Sequence, residues 1–147
     1  MRLKKFSQNI VRDNRGFTLI ELIVVMIIIG LLSAIVAPKF FGKIDKAKIS
    51  TTKSQISLLG AALDDFRLDN GRYPTTEEGL KALREKPLDL KTWDGPYLPR
   101  PVPKDAWGFP YHYKSPGDHG PYDLYSYGMD GKEGGEGPMN KDIVSWK

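Results

Sequence analysis

Arg15-Gly16-Phe17-Thr18-Leu19-Ile20-Glu21-Leu22 opens a run that stays apolar as far as Ala37, and the reading of that run decides what kind of chain this is. From Phe17 to Ala37, 17 of 21 positions are apolar; the exceptions are Thr18, Glu21, Gly30 and Ser33. At a rise of 1.5 Å per residue, such a helix is about 32 Å long and matches the roughly 30 Å hydrocarbon core of a bilayer. The run therefore reads as a membrane-spanning helix, and no second stretch in the 147 residues resembles it.

Ahead of it, residues 1–16 hold Arg2, Lys4, Lys5, Arg12 and Arg15 against a single acid, Asp13. That segment carries the whole formal charge of +4, and the other 131 residues hold 17 charges of each sign. The basic surplus is thus no nucleic-acid footprint, which would need a basic face on the folded part. A cleaved secretory signal fits poorly: the run is long, and a small-x-small site is missing, with Ile35 ahead of Ala37 and Leu32 ahead of Ala34. Lys39, Lys43, Lys46 and Lys48 follow the span almost as densely as bases precede it, so positive-inside counting favours a cytoplasmic N-terminus only weakly. Zero cysteines exclude disulfides, thiolate metal sites and cysteine nucleophiles.

Glu21 is the anomaly of the span. A carboxylate one turn into the bilayer costs roughly 2.5–3.5 kcal/mol on insertion scales, so it stays wet at the interface, is protonated, or meets a partner. Cutting the chain between Gly16 and Phe17 would place a new α-amine one helical turn away, and a neighbouring subunit could supply an equivalent one.

Beyond the span stands Pro38, expected to kink or interrupt the helix. Residues 38–70 then read as an amphipathic helix, with Ile49, Thr52, Ile56, Leu59, Leu63 and Phe66 on one stripe and Lys53, Asp64, Asp65, Arg67 and Asp69 off it. Asn70-Gly71 terminates it. Residues 17–70 form either one bent helix of about 80 Å or an anchor followed by a separate soluble helix. Thr75 with Glu78 fits a capping box, so a short helix is expected next. The prolines at 87, 96, 99, 101, 103 and 110 exclude regular structure, and Trp93, Tyr97, Trp107 and Phe109 read as cover for a small core. Short alternating runs at 111–113, 123–127 and 142–146, separated by glycine-rich turns, predict a small antiparallel sheet laid on the helix. The fold class is α+β, with residues 71–147 as the globular region.

Residues 128–138 carry glycine at five of eleven positions, with Asp130, Glu133 and Glu136 inside and Asp142 close by. Such a loop can turn carbonyls and carboxylates towards Ca²⁺, which takes six to eight oxygens, or it is a solvated acidic turn; the spacing is not that of an EF-hand. His112 and His119 form either a zinc pair or ordinary surface and core groups. No phosphate loop, dinucleotide fingerprint or His-Glu-x-x-His is present, and no nucleophile, base and oxyanion donors can be grouped, so an enzyme is not expected.

The segment Arg15 to Leu22 resembles the processing signal of type IV pilins and pseudopilins, in which a prepilin peptidase cuts after the glycine and methylates the phenylalanine amine. Further blocks resemble the major (G-type) pseudopilins of type II secretion systems: Gly71-Arg72-Tyr73-Pro74, Asp105-Ala106-Trp107-Gly108-Phe109-Pro110-Tyr111, Ser115-Pro116-Gly117-Asp118-His119-Gly120, Tyr125-Ser126-Tyr127-Gly128-Met129-Asp130-Gly131 and Asp142-Ile143-Val144-Ser145-Trp146. In one block Ala106 stands where the family usually has proline.

This resemblance implies a type IV pilin-like fold, a leader over 1–16 removed after Gly16, an N-methylated Phe17, and a span over 17–37 that anchors the subunit and later packs in a filament. It implies that Glu21 pairs with the amine of an adjacent subunit. It implies one structural Ca²⁺ held by the side chains of Asp130 and Asp142 and the backbone carbonyls of Tyr127, Met139 and Lys141. The implied partners are further copies of the chain, minor pseudopilins, prepilin peptidase, the inner-membrane assembly platform and the lipid bilayer, with no nucleic acid. The implied place is the bacterial inner membrane, with the C-terminal region in the periplasm and the filament helping folded proteins across the outer membrane. A type IV pilin or minor pseudopilin, and a membrane-anchored periplasmic enzyme or binding module, remain the alternatives.

Overall fold

The computed structural model describes residues 16–147, in two compact units divided at Phe40 and Phe41. The expected leader lies, apart from Gly16, outside the described residues. Helix α1 runs Leu19–Asn70 and continues through Pro38, as the single-helix reading of residues 17–70 expects. Proline removes one N–H from the ladder, and the flanking turns remain helical all the same.

In the first unit, every residue from 16 to 37 is exposed, including Leu22, Met26, Leu31 and Ile35. A helix that is apolar and exposed all round needs a lipid or protein environment. Ser33 is made compatible with such surroundings by donating its hydroxyl to the Ile29 carbonyl at 2.7 Å.

The second unit is organised by the stripe on α1. Thr52, Ile56, Leu59, Leu63 and Phe66 are buried and Ile49 is partly so, while Lys53, Asp64, Asp65, Arg67 and Asp69 face outward. The stripe forms one core with Leu80, Ala82, Leu83, Leu98, Tyr111, Leu124 and Ile143. Burying each large aliphatic or aromatic group there contributes about 1.5–3 kcal/mol. Trp93, Tyr97 and Trp107 pack around the edge as expected, whereas Phe109 is 40% exposed.

Past Gly71, whose φ of 73° ends the helix, the capping box forms as the spacing predicts. The Thr75 N–H donates to Glu78 Oε2 at 2.7 Å and the Glu78 N–H to Thr75 Oγ1 at 3.2 Å. The element that follows is a 3₁₀ turn, Gly79–Leu83, not an α-helix. Residues 84–111 contain no strand or helix, in keeping with their prolines.

Three short strands close the unit: β1 (His112–Lys114), β2 (Asp123–Ser126) and β3 (Ile143–Val144), antiparallel in the order β1-β2-β3. The register places His112 opposite Tyr125 and Tyr125 opposite Val144. Leu124 thereby points into the core, and His112 and Tyr125 line the other face, where they stack with ring centroids 5.2 Å apart. β2 and β3 are shorter than the expected runs, and β1 keeps the expected three residues shifted by one. A four-residue helix, α2 (Gly137–Asn140), interrupts the acidic loop where only a turn was expected.

Polar contacts staple the small core. Arg72 forks onto Glu78, with both N–O distances 2.7 Å. Tyr113 donates its hydroxyl to the Pro74 carbonyl at 2.8 Å, and burial pushes that phenol up to about 12. The Arg72 guanidinium, helped by the capping N–H of Thr75 and opposed by burial, holds the Glu78 carboxyl below the usual glutamate value. A carboxylate whose folded value is depressed adds stability above its unfolded value and loses it as pH falls through the folded one. Acid titration of the melting temperature should therefore show a loss beginning near the ordinary glutamate range and continuing below it. Glu78→Gln should remove part of that acid dependence and lower the plateau near neutral pH.

Candidate processing site and candidate cation loop

Two places in the chain carry the residues singled out by sequence. The first is the entry to α1. Gly16, Phe17 and Thr18 are non-helical and exposed, with Phe17 at 90%, so the Gly16–Phe17 peptide lies outside the helix that begins at Leu19. A peptidase acting at this bond would have no helix to unwind first.

Glu21 is engaged here in a way that sequence reading overlooked. Its Oε2 accepts the Thr18 N–H at 2.8 Å and the Thr18 hydroxyl at 2.9 Å, while the Glu21 N–H donates to Thr18 Oγ1 at 3.2 Å. Thr18 and Glu21 thus form the same reciprocal capping box as Thr75 and Glu78, satisfying amides that the first helical turn leaves open. The signal was legible as Thr-x-x-Glu ahead of an apolar run. The carboxylate therefore has a local partner in the uncut chain.

The second place is the loop after β2. Gly128 adopts φ 72°, and a Cβ built on it would stand 2.5 Å from the Met139 carbonyl oxygen and 3.2 Å from that of Lys141. The Met129 N–H donates to the same Met139 carbonyl at 2.9 Å. Only glycine permits this approach, and it brings two of the expected carbonyl ligands beside the residue that follows Tyr127. The amide oxygen of Asn140, between them in sequence, is buried with no hydrogen-bond partner. An orphaned buried oxygen is costly and marks a place for a donor or a cation.

The two aspartates are also poised at this loop. Asp142 accepts the Gly134 N–H with both oxygens, at 3.1 and 3.0 Å, and Asp130 Oδ1 accepts the Lys132 N–H at 3.2 Å. Tyr127 and Asp142 help line a cleft of about 140 Å³ with Glu133, whereas Asp130 is outside its lining. Among the described residues no three acidic, histidine or cysteine side chains gather for a metal. A cation here would therefore rely heavily on backbone oxygens, a donor set that suits a hard ion such as calcium far better than a transition metal.

The histidines have separate employments. His119 Nδ1 lies 3.0 Å from Asp123 Oδ2, and its ring stacks on Trp146 at 4.1 Å and 5°. His112 lies against Tyr125 and Tyr127. For Asp123, burial acts to raise its carboxyl value, but the His119 ring and the N–H groups of Asp118 and His119 prevail and lower it.

Comparison with known proteins follows the same division of the chain. The family described as Type II secretion system (T2SS), protein G matches residues 39–146, and the prokaryotic N-terminal methylation motif matches residues 11–37. The type II secretion system core protein G of Pseudomonas aeruginosa is 46% identical over 138 residues, covering 92% of this chain and 96% of that one. Its namesake from Vibrio cholerae is 44% identical over 138 residues, covering 92% and 93%. Among solved structures, the major pseudopilin from the type 2 secretion system of enterohaemorrhagic Escherichia coli matches with TM-score 0.60 and 40% identity, over 72% of this chain and 92% of that one.

The glycines of the loop separate packing from backbone strain. Gly134 also has positive φ, 85°, but an added Cβ would meet nothing within 4 Å. Gly134→Ala should therefore cost only the roughly 1–2 kcal/mol of a left-handed alanine. Gly128→Ala must in addition displace the Met139 carbonyl, and it should lower the melting temperature distinctly further in the same thermal scan.

Proposed function

The chain belongs to the family of type II secretion system protein G, and on that premise we propose how its parts divide the work of building a secretion filament. It is a structural subunit of the pseudopilus, anchored by its N-terminal apolar helix, processed at the methylation motif and assembled with further copies of itself. The observation that carries the reading is the pairing of an exposed, non-helical Gly16–Phe17 bond with an apolar helix that its own chain leaves wholly uncovered.

In this reading the apolar helix holds the precursor in the inner membrane, with the leader on the cytoplasmic side and the globular unit in the periplasm. Removal of residues 1–16 discards the net +4 and leaves a chain with balanced formal side-chain charges. The new amine of Phe17, methylated by prepilin peptidase, gives Glu21 a charged partner on an adjacent subunit. Glu21 then exchanges a neutral cap for an ion pair, whose attraction grows once the surroundings are apolar. Because such a pair forms only at one axial offset, it sets the register of the growing filament. Minor pseudopilins and the inner-membrane assembly platform supply the tip and the driving machinery, and the filament moves folded proteins towards the outer membrane.

Calcium has a structural part in the same proposal. Asp130 and Asp142 through their side chains, and Tyr127, Met139 and Lys141 through their carbonyls, are the residues that would hold it. When bound, the ion supplies positive charge that joins the two ends of the 128–142 segment. The carbonyls gathered at Gly128 and the unpaired Asn140 oxygen support this assignment.

Mass and N-terminal sequencing of the membrane-extracted protein should find a chain that starts at a methylated Phe17. An intact leader, or a start near residue 38, would remove the assembly reading. Glu21→Gln keeps a capping side chain but loses the charge, so it should insert in the membrane normally yet yield few filaments by electron microscopy. Filaments in wild-type numbers would show that the ion pair does not set register.

A further inference from the structure

Beneath the Gly128 turn lies a buried carboxylate, Asp105, which is only 5% exposed although it belongs to an otherwise irregular, proline-flanked loop. A charge so placed is costly unless its lone pairs are filled, and here they are. Its Oδ1 accepts the N–H groups of Trp107 at 3.0 Å and Phe109 at 2.8 Å. Backbone bonds at the same residue close the loop: the Asp105 N–H donates to the Phe109 carbonyl at 2.8 Å, and the Gly108 N–H donates to the Asp105 carbonyl at 3.0 Å. The neighbouring Ala106 N–H reaches Thr52 Oγ1 on α1 at 3.3 Å, which ties the loop to the core stripe.

The other oxygen points towards the cation loop. Asp105 Oδ2 accepts the hydroxyl of Ser126, itself fully buried, at 2.6 Å, the short distance of a charge-assisted bond. With its proton committed to Asp105, Ser126 Oγ presents lone pairs only, and one of them accepts the Gly128 N–H at 3.1 Å. The same carboxylate also holds Phe109, whose ring lies against Gly131: a Cβ there would stand 3.1 Å from it. Gly128 and Gly131 are the two ends of the turn that carries Met129 and Asp130.

We propose that Asp105 is the positioning residue of the cation loop: through Ser126 it sets the Gly128 turn that gathers the Met139 and Lys141 carbonyls, and through Phe109 it braces Gly131 on the far side of Asp130. The proposal rests on the calcium reading given above. It requires a carboxylate in particular. Asparagine could keep the two N–H bonds with its oxygen, but its NH₂ would face Ser126 and leave the serine proton without an acceptor, so Oγ would no longer be fixed towards Gly128.

The test uses the full-length protein in detergent micelles, depleted of calcium by chelator and titrated with calcium chloride, with the melting temperature and amide hydrogen exchange as readouts. Asp105→Asn and Ser126→Ala should each raise the calcium midpoint by about tenfold, the scale of one well-placed hydrogen bond. In chelator they should speed exchange at the Gly128 and Met129 amides while Leu59 to Phe66 of α1 stay protected. Leu83→Ala serves as a purely structural control: it should lower the melting temperature with and without calcium alike and leave the midpoint where it was. If Asp105→Asn does not fold, Ser126→Ala carries the test. Wild-type midpoints in the folded variants would overturn the positioning role and leave the calcium reading standing. A wild-type protein indifferent to calcium would overturn both.

Discussion

The globular unit depends on one stripe of side chains. Ile56, Leu59, Leu63 and Phe66 recur at helical spacing on α1, and the buried side chains of the other elements join them in one core. The 3₁₀ turn contributes Leu80, Ala82 and Leu83, the irregular segment Leu98 and Tyr111, and the sheet only Leu124 and Ile143. A three-stranded sheet with strands of three, four and two residues would not be stable in isolation. It persists because its inner face completes a core that the helix begins.

So small a core leaves much to polar contacts, and these cluster where regular structure is absent. The Arg72–Glu78 fork secures the chain just after α1, and Asp105 organises the segment just before β1. Both use a carboxylate to satisfy backbone amides that no helix or strand can serve. In the C-terminal loop residues 132–138 are all exposed, and backbone oxygens are drawn close at Gly128 and Gly135. The cation proposed above would complement such an arrangement, because it would neutralise nearby acids and draw on carbonyl oxygens, each of which has two lone pairs.

The N-terminal unit answers to different physics. Its apolar helix has no inward face within its own chain, so lipid before assembly and sister helices after it are the environments that suit it. In both, Glu21 is the one group whose energy depends sharply on what stands beside it. Its capping box with Thr18 gives the carboxylate a partner within its own chain.

Much of this was legible in residue order because it rests on local periodicity. The 21-residue apolar run, the stripe from Ile49 to Phe66, the Thr75–Glu78 cap and the proline-imposed irregularity of residues 84–111 are all consequences of short-range spacing. Strand extents, α2 and the 3₁₀ character of Gly79–Leu83 were not, since each depends on what packs against it. The resemblance pointed to Met139 and Lys141, but not to the reason their carbonyls come together at Gly128. That reason is tertiary: Gly128 approaches a segment eleven residues further on, and the Asp105 carboxylate reaches Ser126 across 21 residues. By itself the sequence determined an apolar helix, an amphipathic helix and a methylation motif, because these need only local spacing. Only the tertiary structure decided where Asp105, Ser126 and the loop carbonyls meet, because close approach between distant backbone segments leaves no periodic mark in a chain.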